Sequence, residues 1–119
     1  MELDYGEYDC RPLAEVPDSL WATWRRDPSY TPPGGESLVD VGRRVRFACE
    51  ELAERAAATD VVVVSHVSPI KAAVTWALRV GDEVAWRMFL DLASITRIST
   101  AGGTPVLRSL NERVNDDRA

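Results

Sequence analysis

The segment VVVVSHVSPIK, residues 61–71, decides the predicted fold class of this chain. Its four consecutive valines are β-branched and uninterrupted by polar residues, which is typical of a strand buried on both faces inside a parallel sheet. Ser68 is a favoured helix N-cap, and Pro69 suits the first helical position, where no N–H is needed. A buried strand that runs directly into a capped helix predicts an α/β protein. His66, the only histidine of the chain, lies at that junction.

Helical patterns lie on both sides of this predicted strand. Ser37 and Asp40 have the spacing of a capping box, in which each side chain bonds the backbone N–H of the other residue. The apolar residues after them recur at three- and four-residue steps, which predicts an amphipathic helix of about five turns. A shorter helix is expected over residues 17–27, and another around residues 84–89.

The carboxyl-terminal region predicts a β-hairpin. Residues 92–100 and 104–110 are rich in strand-forming side chains and flank a pair of glycines. Together with the helices and the buried strand, the hairpin predicts a three-layer α/β/α arrangement. We expect this domain to occupy residues 1–110, with a polar tail over residues 111–119.

Composition and charge are those of a single-domain globular protein. The 119 residues are 45% hydrophobic and 28% charged, which is ordinary for a soluble chain long enough to bury a core. The net charge of −5 argues against a general affinity for nucleic acid or an anionic membrane. Two cysteines, Cys10 and Cys49, form no disulfide framework, and no stretch resembles a signal peptide or a membrane span. A cytoplasmic location is therefore expected.

The end of the predicted strand is a candidate binding site. In open α/β sheets, ligands bind beyond the carboxyl ends of the strands, where His66 lies. The free N–H groups and the positive dipole end of the following helix point to the same place, which favours an anion. Lys71 in the first turn of that helix is consistent with a bound anion, but its ammonium can equally extend into water. His66 also has a structural interpretation, in which its imidazole is bonded to a neighbouring carbonyl.

Several other chemistries do not fit the sequence. Ser65 and His66 are adjacent, so in a strand they point to opposite faces and cannot form a nucleophile–base pair. The chain contains no G-x-S-x-G elbow, no Walker-type loop and no G-x-G-x-x-G motif. One histidine and two scattered cysteines are too few nitrogen and sulfur ligands for a metal site. We expect neither a metal nor a cofactor.

Four segments of the chain carry a family resemblance: MELDYGEYDC, PPGGESLVDVGRRV, VVVVSHVSPIKAAV and LDLASITRIS. In this order they resemble the histidine phosphatase superfamily in its phosphoglycerate-mutase-like branch, and in particular bacterial acid-phosphatase domains. The resemblance implies a phosphoglycerate-mutase-like fold and phosphoryl transfer through a phosphohistidine, without metal. The implied ligand is phosphate or a phosphorylated small molecule.

Two segments of the family pattern are not found in these residues. The family begins with a strand ending in an Arg-His-Gly motif, whose histidine accepts the phosphoryl group, and a second phosphate-binding arginine follows on a helix. The resemblance therefore implies that the chain corresponds to the carboxyl-terminal part of a complete domain, with an incomplete central sheet. We expect such a truncated member to be inactive alone, and to form homo-oligomers through the exposed edge of that sheet.

The resemblance also implies roles for individual residues. His66 matches the second active-site histidine, which binds the phosphoryl oxygens together with backbone N–H groups of Val67 and Ser68. Glu2 matches the glutamate that protonates the leaving group and later activates water, although residue type alone favours a solvated loop acid. Glu36 and Arg44 match the family's GES…R pair.

We expect the Glu36–Arg44 pair to be structural, with a second possibility that Glu36 faces the site. Trp21, Trp24 and Tyr30 are expected in the core or a lid, with substrate contact as the alternative.

The function predicted from these observations is phosphate-monoester hydrolysis by the complete enzyme. Two alternatives stay open. One is a catalytically inactive module that binds phosphate or a partner, because the phospho-acceptor histidine is not among these residues. The other is a phosphoglycerate mutase.

Overall fold

The computed structural model describes residues 1–114, which form helices and one β-hairpin. The helices are α1, α2 and α3, and the strands of the hairpin are β1 and β2. Their bounds are Asp18–Arg26, Leu38–Ala56 and Val67–Leu78 for the helices, and Ser94–Ser99 and Val106–Arg113 for the strands. Short 3₁₀ helices cover Gly6–Tyr8, Leu13–Glu15 and Asp82–Arg87. The mixture of helices and strands confirms the predicted α/β class.

Helix α2 begins with the predicted capping box. The Ser37 hydroxyl accepts the backbone N–H of Asp40 at 3.0 Å, and the Asp40 carboxylate accepts the backbone N–H of Ser37 at 3.0 Å. Both bonds satisfy N–H groups that have no partner within the helix. Val41 and Val45 then turn into the core and are 1% and 8% exposed. The local sequence therefore determines both the start of α2 and its buried face.

The core of the described residues is built around Trp24, which is 1% exposed. Its indole stacks on Trp21 at 6.0 Å and makes edge contacts with the rings of Tyr5, Tyr30 and Trp86 at 5.6 to 6.4 Å. Aliphatic and small side chains from the amino-terminal segment, α2 and α3 complete the cluster: Leu3, Val41, Val45 and Ala72. This aromatic cluster joins α1 to the beginning of α3 and supports the candidate site.

Helix α3 begins two residues earlier than the sequence predicts. The N-cap is His66, with φ −125° and ψ 171°, and not Ser68. The first turn closes there because the Ile70 N–H bonds the His66 carbonyl at 3.1 Å. Pro69 is the third residue of the helix, two positions later than expected, and is tolerated there because none of the first four N–H groups of a helix has an intrahelical partner.

The prediction of a buried strand over residues 61–64 is wrong for the described structure. The four valines have no ladder partner and are 36%, 89%, 57% and 94% exposed in chain order. An apolar β-branched run becomes a buried strand only when neighbouring strands bond its backbone and helices cover its faces. Within residues 1–114 the sheet consists of β1 and β2 alone, so neither condition is met. The central sheet is accordingly incomplete.

The predicted hairpin is present, with antiparallel strands and a turn around Gly103, whose φ is +81°. Strand β2 continues to Arg113, which pairs with Ser94, so residues 111–113 of the predicted polar tail belong to the strand. Residues 115–119 lie outside the described part of the chain.

The helix expected around residues 84–89 is the 3₁₀ helix Asp82–Arg87. Among the described helices, none has the length and apolar character needed to cross a membrane.

Candidate active site

The amino-terminal end of α3 is the centre of the candidate site. Val67 and Ser68 are its first two residues, and their N–H groups have no acceptor within the helix. Pro69 carries no N–H and is buried, so it contributes shape alone. The helix dipole adds partial positive charge at this end, and the combination favours a bound anion.

A carboxylate of the chain itself already uses this position. Glu2 accepts the Ser68 N–H, with its Oε1 and Oε2 at 3.2 and 3.4 Å from the nitrogen. Its Oε1 also accepts the Leu3 N–H at 2.7 Å. The structure thus brings together two predicted site residues that are 66 positions apart in the sequence. The Glu2 carboxylate therefore lies against the start of α3.

Glu36 and Arg44 form a forked ion pair next to the Glu2 segment. Arg44 Nη2 and Nε donate to the two carboxylate oxygens of Glu36 at 2.8 and 3.2 Å. Charge-assisted bonds in this two-point geometry are stronger and more directional than a single contact. Hydrogen bonding to Glu36 raises the pKa of Arg44, and the charges of Glu36 and Glu2 add to this shift.

The same ion pair holds the backbone on both sides of Glu2. Arg44 Nη2 donates to the carbonyls of Met1 and Glu2 at 2.9 and 3.2 Å. Glu36 Oε1 accepts the Asp4 N–H at 3.1 Å, and the Glu36 N–H donates to the Asp4 carbonyl at 2.8 Å. The pair therefore fixes the segment from which the Glu2 side chain reaches α3. The family resemblance suggested the pair, but carried no signal for these contacts across more than thirty residues.

His66 lies on the surface at the start of α3. Its residue is exposed, and its imidazole makes no capping hydrogen bond to the helix. The ring is consequently accessible from solvent. The imidazole and Glu2 flank the same helix end, one before it in sequence and one brought from the amino terminus.

The pKa values of Tyr5 and Lys71 are both shifted at this site. Burial raises the pKa of the Tyr5 hydroxyl, and the negative charge of Glu2 raises it further. Burial lowers the pKa of Lys71, whereas Glu2 acts in the opposite direction. The negative charge of Glu2 therefore raises the pKa of both side chains. Tyr5 carried no sequence signal for a site role, since its place depends on packing against Trp24 at 5.6 Å between ring centroids.

A pocket of about 130 Å³ adjoins this helix end. Its lining includes Trp21, Trp24 and Trp86 together with Ser68 and Lys71. Trp24 is a core residue and also part of the pocket wall, and substrate contact by the tryptophans stays a prediction. Tyr30 packs on Trp24 at 6.1 Å and is not part of the lining. Trp86 was missed by sequence analysis, because its position is set by the 3₁₀ helix Asp82–Arg87 packing on α3.

No metal site is formed by the side chains that the structure describes. Across residues 1–114, no group of three or more His, Cys, Asp and Glu side chains is placed to hold an ion.

The two cysteines are free thiols. Burial raises the pKa of Cys49 to about 11, so it is a neutral thiol at physiological pH.

Comparison with known proteins identifies the family of this chain. The sequence profile of the histidine phosphatase superfamily (branch 1) matches residues 1–113. The chain belongs to the histidine phosphatase superfamily. Its relatives include a bifunctional protein of Mycobacterium tuberculosis, which is 39% identical over 94% of this chain. They also include phosphoserine phosphatase 1 and putative phosphoserine phosphatase 2 of Hydrogenobacter thermophilus, 31% and 27% identical over 93% of the chain.

The chain spans only part of the length of the relatives it matches. The chain spans 32% of the bifunctional mycobacterial protein, and 54% and 56% of the two Hydrogenobacter phosphatases. The relatives therefore contain residues that have no counterpart in the matched region. The catalytic roles that the family resemblance assigns to His66 and Glu2 stay predictions.

Proposed function

We propose that this histidine phosphatase superfamily member takes part in the hydrolysis of phosphate monoesters. In this proposal His66 and the N–H groups of Val67 and Ser68 bind the phosphoryl oxygens, and Glu2 protonates the leaving group. The observation that supports it most directly is the Glu2 carboxylate on the Ser68 N–H, at 3.2 Å. The proposed proton donor thereby lies at the helix end that is proposed to bind the phosphoryl oxygens.

The geometry suggests how the charges change when substrate binds. A phosphoryl oxygen on the Ser68 N–H replaces one carboxylate contact of Glu2, and the like charges repel unless Glu2 carries a proton. A protonated Glu2 next to the ester oxygen is a general acid, and after it gives up the proton it can activate water as a base. His66 supplies a donor for the charge that develops on the phosphoryl oxygens.

The complete reaction requires a nucleophile that these 119 residues do not supply. Phosphohistidine chemistry needs one histidine to accept the phosphoryl group and a second to stabilise its transfer, and the chain has one histidine. We therefore expect the 119 residues alone to have no appreciable turnover. In this proposal the complete enzyme draws its acceptor histidine from a further segment, and the chain represents the carboxyl-terminal part of the domain. The greater length of the relatives supports this view.

The test compares the 119-residue chain with a longer chain that includes an Arg-His-Gly segment ahead of Met1. We expect hydrolysis of para-nitrophenyl phosphate by the longer chain only, together with acid-labile, base-stable phosphorylation of a histidine. Family-like turnover by the 119 residues would contradict the proposal. Its first step is tested on the chain itself, where inorganic phosphate should shift the NMR signals of the His66 ring saturably. A flat titration at tens of millimolar would exclude the anion site.

A second candidate function is an inactive module that binds phosphate or a partner. The single histidine favours it, because binding at the start of α3 needs no nucleophile. The two candidates differ in one result: a module binds phosphate, but no extended chain containing it hydrolyses a phosphate ester.

We also propose self-association and a cytoplasmic location. The valines at positions 61–64 expose apolar side chains and unpaired backbone, and an identical run in a second copy is their simplest complement. Cys10 and Cys49 are both free thiols, which suits a reducing compartment.

A further inference from the structure

The pocket next to Ser68 has walls that are mainly aromatic. Trp21, Trp24 and Trp86 lie 6.0 to 6.5 Å from one another between ring centroids, and all three line the pocket. The guanidinium of Arg25 lies 5.4 Å from the centre of the Trp86 ring and holds that indole by a cation–π contact. The aromatic walls are therefore fixed by contacts of their own before any ligand binds.

The size of the pocket limits what it can hold. An apolar cavity of about 150 Å³ accommodates benzene, and this pocket measures about 130 Å³. One aromatic ring or a short branched alkyl group fits that volume. The hydroxyl groups of a sugar or a nucleoside would lose water against indole faces that return few hydrogen bonds.

The charge at the pocket favours an organic group attached to an anion. None of the lining residues is acidic, and Lys71 is the one lining residue with a formal charge. The ion pairs found among residues 1–114 do not include Lys71. Ser68 lines the same pocket and donates its N–H to the Glu2 carboxylate at 3.2 Å. A ligand with an apolar body and a phosphoryl group can thus place each part against a matching surface.

We propose that this pocket binds the organic group of the substrate, and that the preferred substrates are monoesters of phosphate with a compact, apolar group of about one aromatic ring. This inference rests on the proposed function, because it assumes a phosphoryl group at the start of α3. Trp21 and Trp86 determine the specificity for the organic group. Lys71 balances the charge of the ester.

The test is NMR titration of the 119-residue chain with four probes: phenyl phosphate, methyl phosphate, inorganic phosphate and phenol. The chain has four tryptophans and hence four indole N–H signals. We expect phenyl phosphate to shift the signals of Trp21 and Trp86, and to bind roughly tenfold more tightly than methyl phosphate. Trp76 is outside the pocket and donates its Nε1–H to Glu50 at 2.8 Å, so its signal is an internal control that should not move.

Matched variants locate the effect. Trp21→Ala should abolish the preference for phenyl over methyl phosphate while inorganic phosphate binds as before. Trp76→Ala removes an indole of the same size from outside the pocket and should leave the preference intact. If circular dichroism shows that Trp21→Ala does not fold, Trp21→Leu keeps apolar volume without the ring and should weaken the preference. Lys71→Met should weaken phenyl phosphate binding without affecting phenol.

The outcomes separate this inference from the proposed function. Equal binding of phenyl and methyl phosphate, with no shift at Trp21 or Trp86, would overturn the pocket assignment and leave the anion site standing. Phenol binding with no response to any phosphate would leave the aromatic pocket and remove the anion site, and with it the substrate class. Absence of binding by all four probes would overturn both.

Discussion

Glu2 and Ser68 meet at the start of α3, where the Glu2 carboxylate accepts the backbone N–H of Ser68 at 3.2 Å. The residue proposed to move the proton therefore holds the donor proposed to bind the phosphoryl group. A ligand anion must share this helix end with the carboxylate or displace it. Binding of phosphate is consequently coupled to the charge of Glu2.

Removal of that charge should strengthen phosphate binding. In Glu2→Gln the side-chain oxygen can still accept the Ser68 N–H, but the repulsion of an incoming anion is lost. Two unit charges 4 Å apart interact by about 1 kcal/mol in water, which corresponds to roughly fivefold in affinity. We expect that increase in NMR titrations of the His66 ring. Glu7→Gln, an exposed acid in the same segment, should change affinity little. Weaker binding in Glu2→Gln would contradict the competition.

Substitution of His66 should reduce turnover without unfolding the protein. In a longer chain that hydrolyses phosphate esters, His66→Ala removes a donor to developing charge, and we expect a loss of a hundredfold or more in kcat. Its side chain is exposed and makes no capping bond, so the far-ultraviolet circular dichroism and the unfolding midpoint should hardly change. If the variant instead loses its fold at unchanged specific activity, the imidazole is structural.

Glu36 and Arg44 should be energetically coupled. A double-mutant cycle with Glu36→Gln and Arg44→Met, measured by denaturant unfolding, should give an interaction of about 0.5 to 3 kcal/mol. The Arg97–Glu112 pair, with side chains 59% and 43% exposed, is a matched control expected at the bottom of that range or below it. Effects of Glu36→Gln and Arg44→Met that simply add would show that the fork does not persist in solution.

Acid should weaken the cap of α2. Hydrogen bonding to the Ser37 backbone and hydroxyl, with a smaller contribution from Arg43, lowers the pKa of Asp40 below its ordinary value of 3.8. A folded-state pKa below the unfolded one contributes stability that is present above pH 3.8 and is lost as the pH falls through the folded value. Asp40→Asn should therefore flatten the decline of stability below about pH 4, as followed by thermal unfolding between pH 2 and pH 7. If the stability of Asp40→Asn depends on pH in the same way as that of the wild-type chain, this contribution is contradicted.

The valine run should drive association of the 119-residue chain. We expect light scattering to report an apparent mass that rises with protein concentration. Val62→Lys and Val64→Lys place charges on the two most exposed valines, 89% and 94%, and should keep the chain monomeric. Leu13→Lys alters an apolar side chain that is 77% exposed elsewhere and should not. A wild-type chain that stays monomeric at every concentration would exclude pairing through this run.

The features predicted correctly from the sequence have their determinants close together in the chain. The capping box of α2 needs Ser37 and Asp40, three residues apart, and the hairpin needs two strand patterns around a glycine turn. The start of α3 was misplaced by two residues because Pro69 is acceptable anywhere in a first turn.

The features that were missed depend on distant partners. The apolar pattern of residues 61–64 indicated burial, but burial requires neighbours that the pattern does not specify. The candidate site was predicted at the start of α3 from helix polarity, which follows from local sequence, and it stays a prediction. Tertiary packing sets three features: the contact of Glu2 with α3, the position of Trp86, and the hydrogen bonds from Arg44 to the amino-terminal carbonyls. No local sequence pattern predicts them.

The span of the Glu2–Ser68 contact also orders the events of folding. The capping box closes over three residues and the hairpin over fewer than twenty, whereas Glu2 reaches Ser68 across 66 residues. Because the entropic cost of closing a loop grows with its length, we expect the helices and the hairpin to form before the amino-terminal segment docks. A chain caught midway would have α2 and α3 in place without the Glu2 carboxylate at Ser68. The contact at the centre of the candidate site would then be among the last to form.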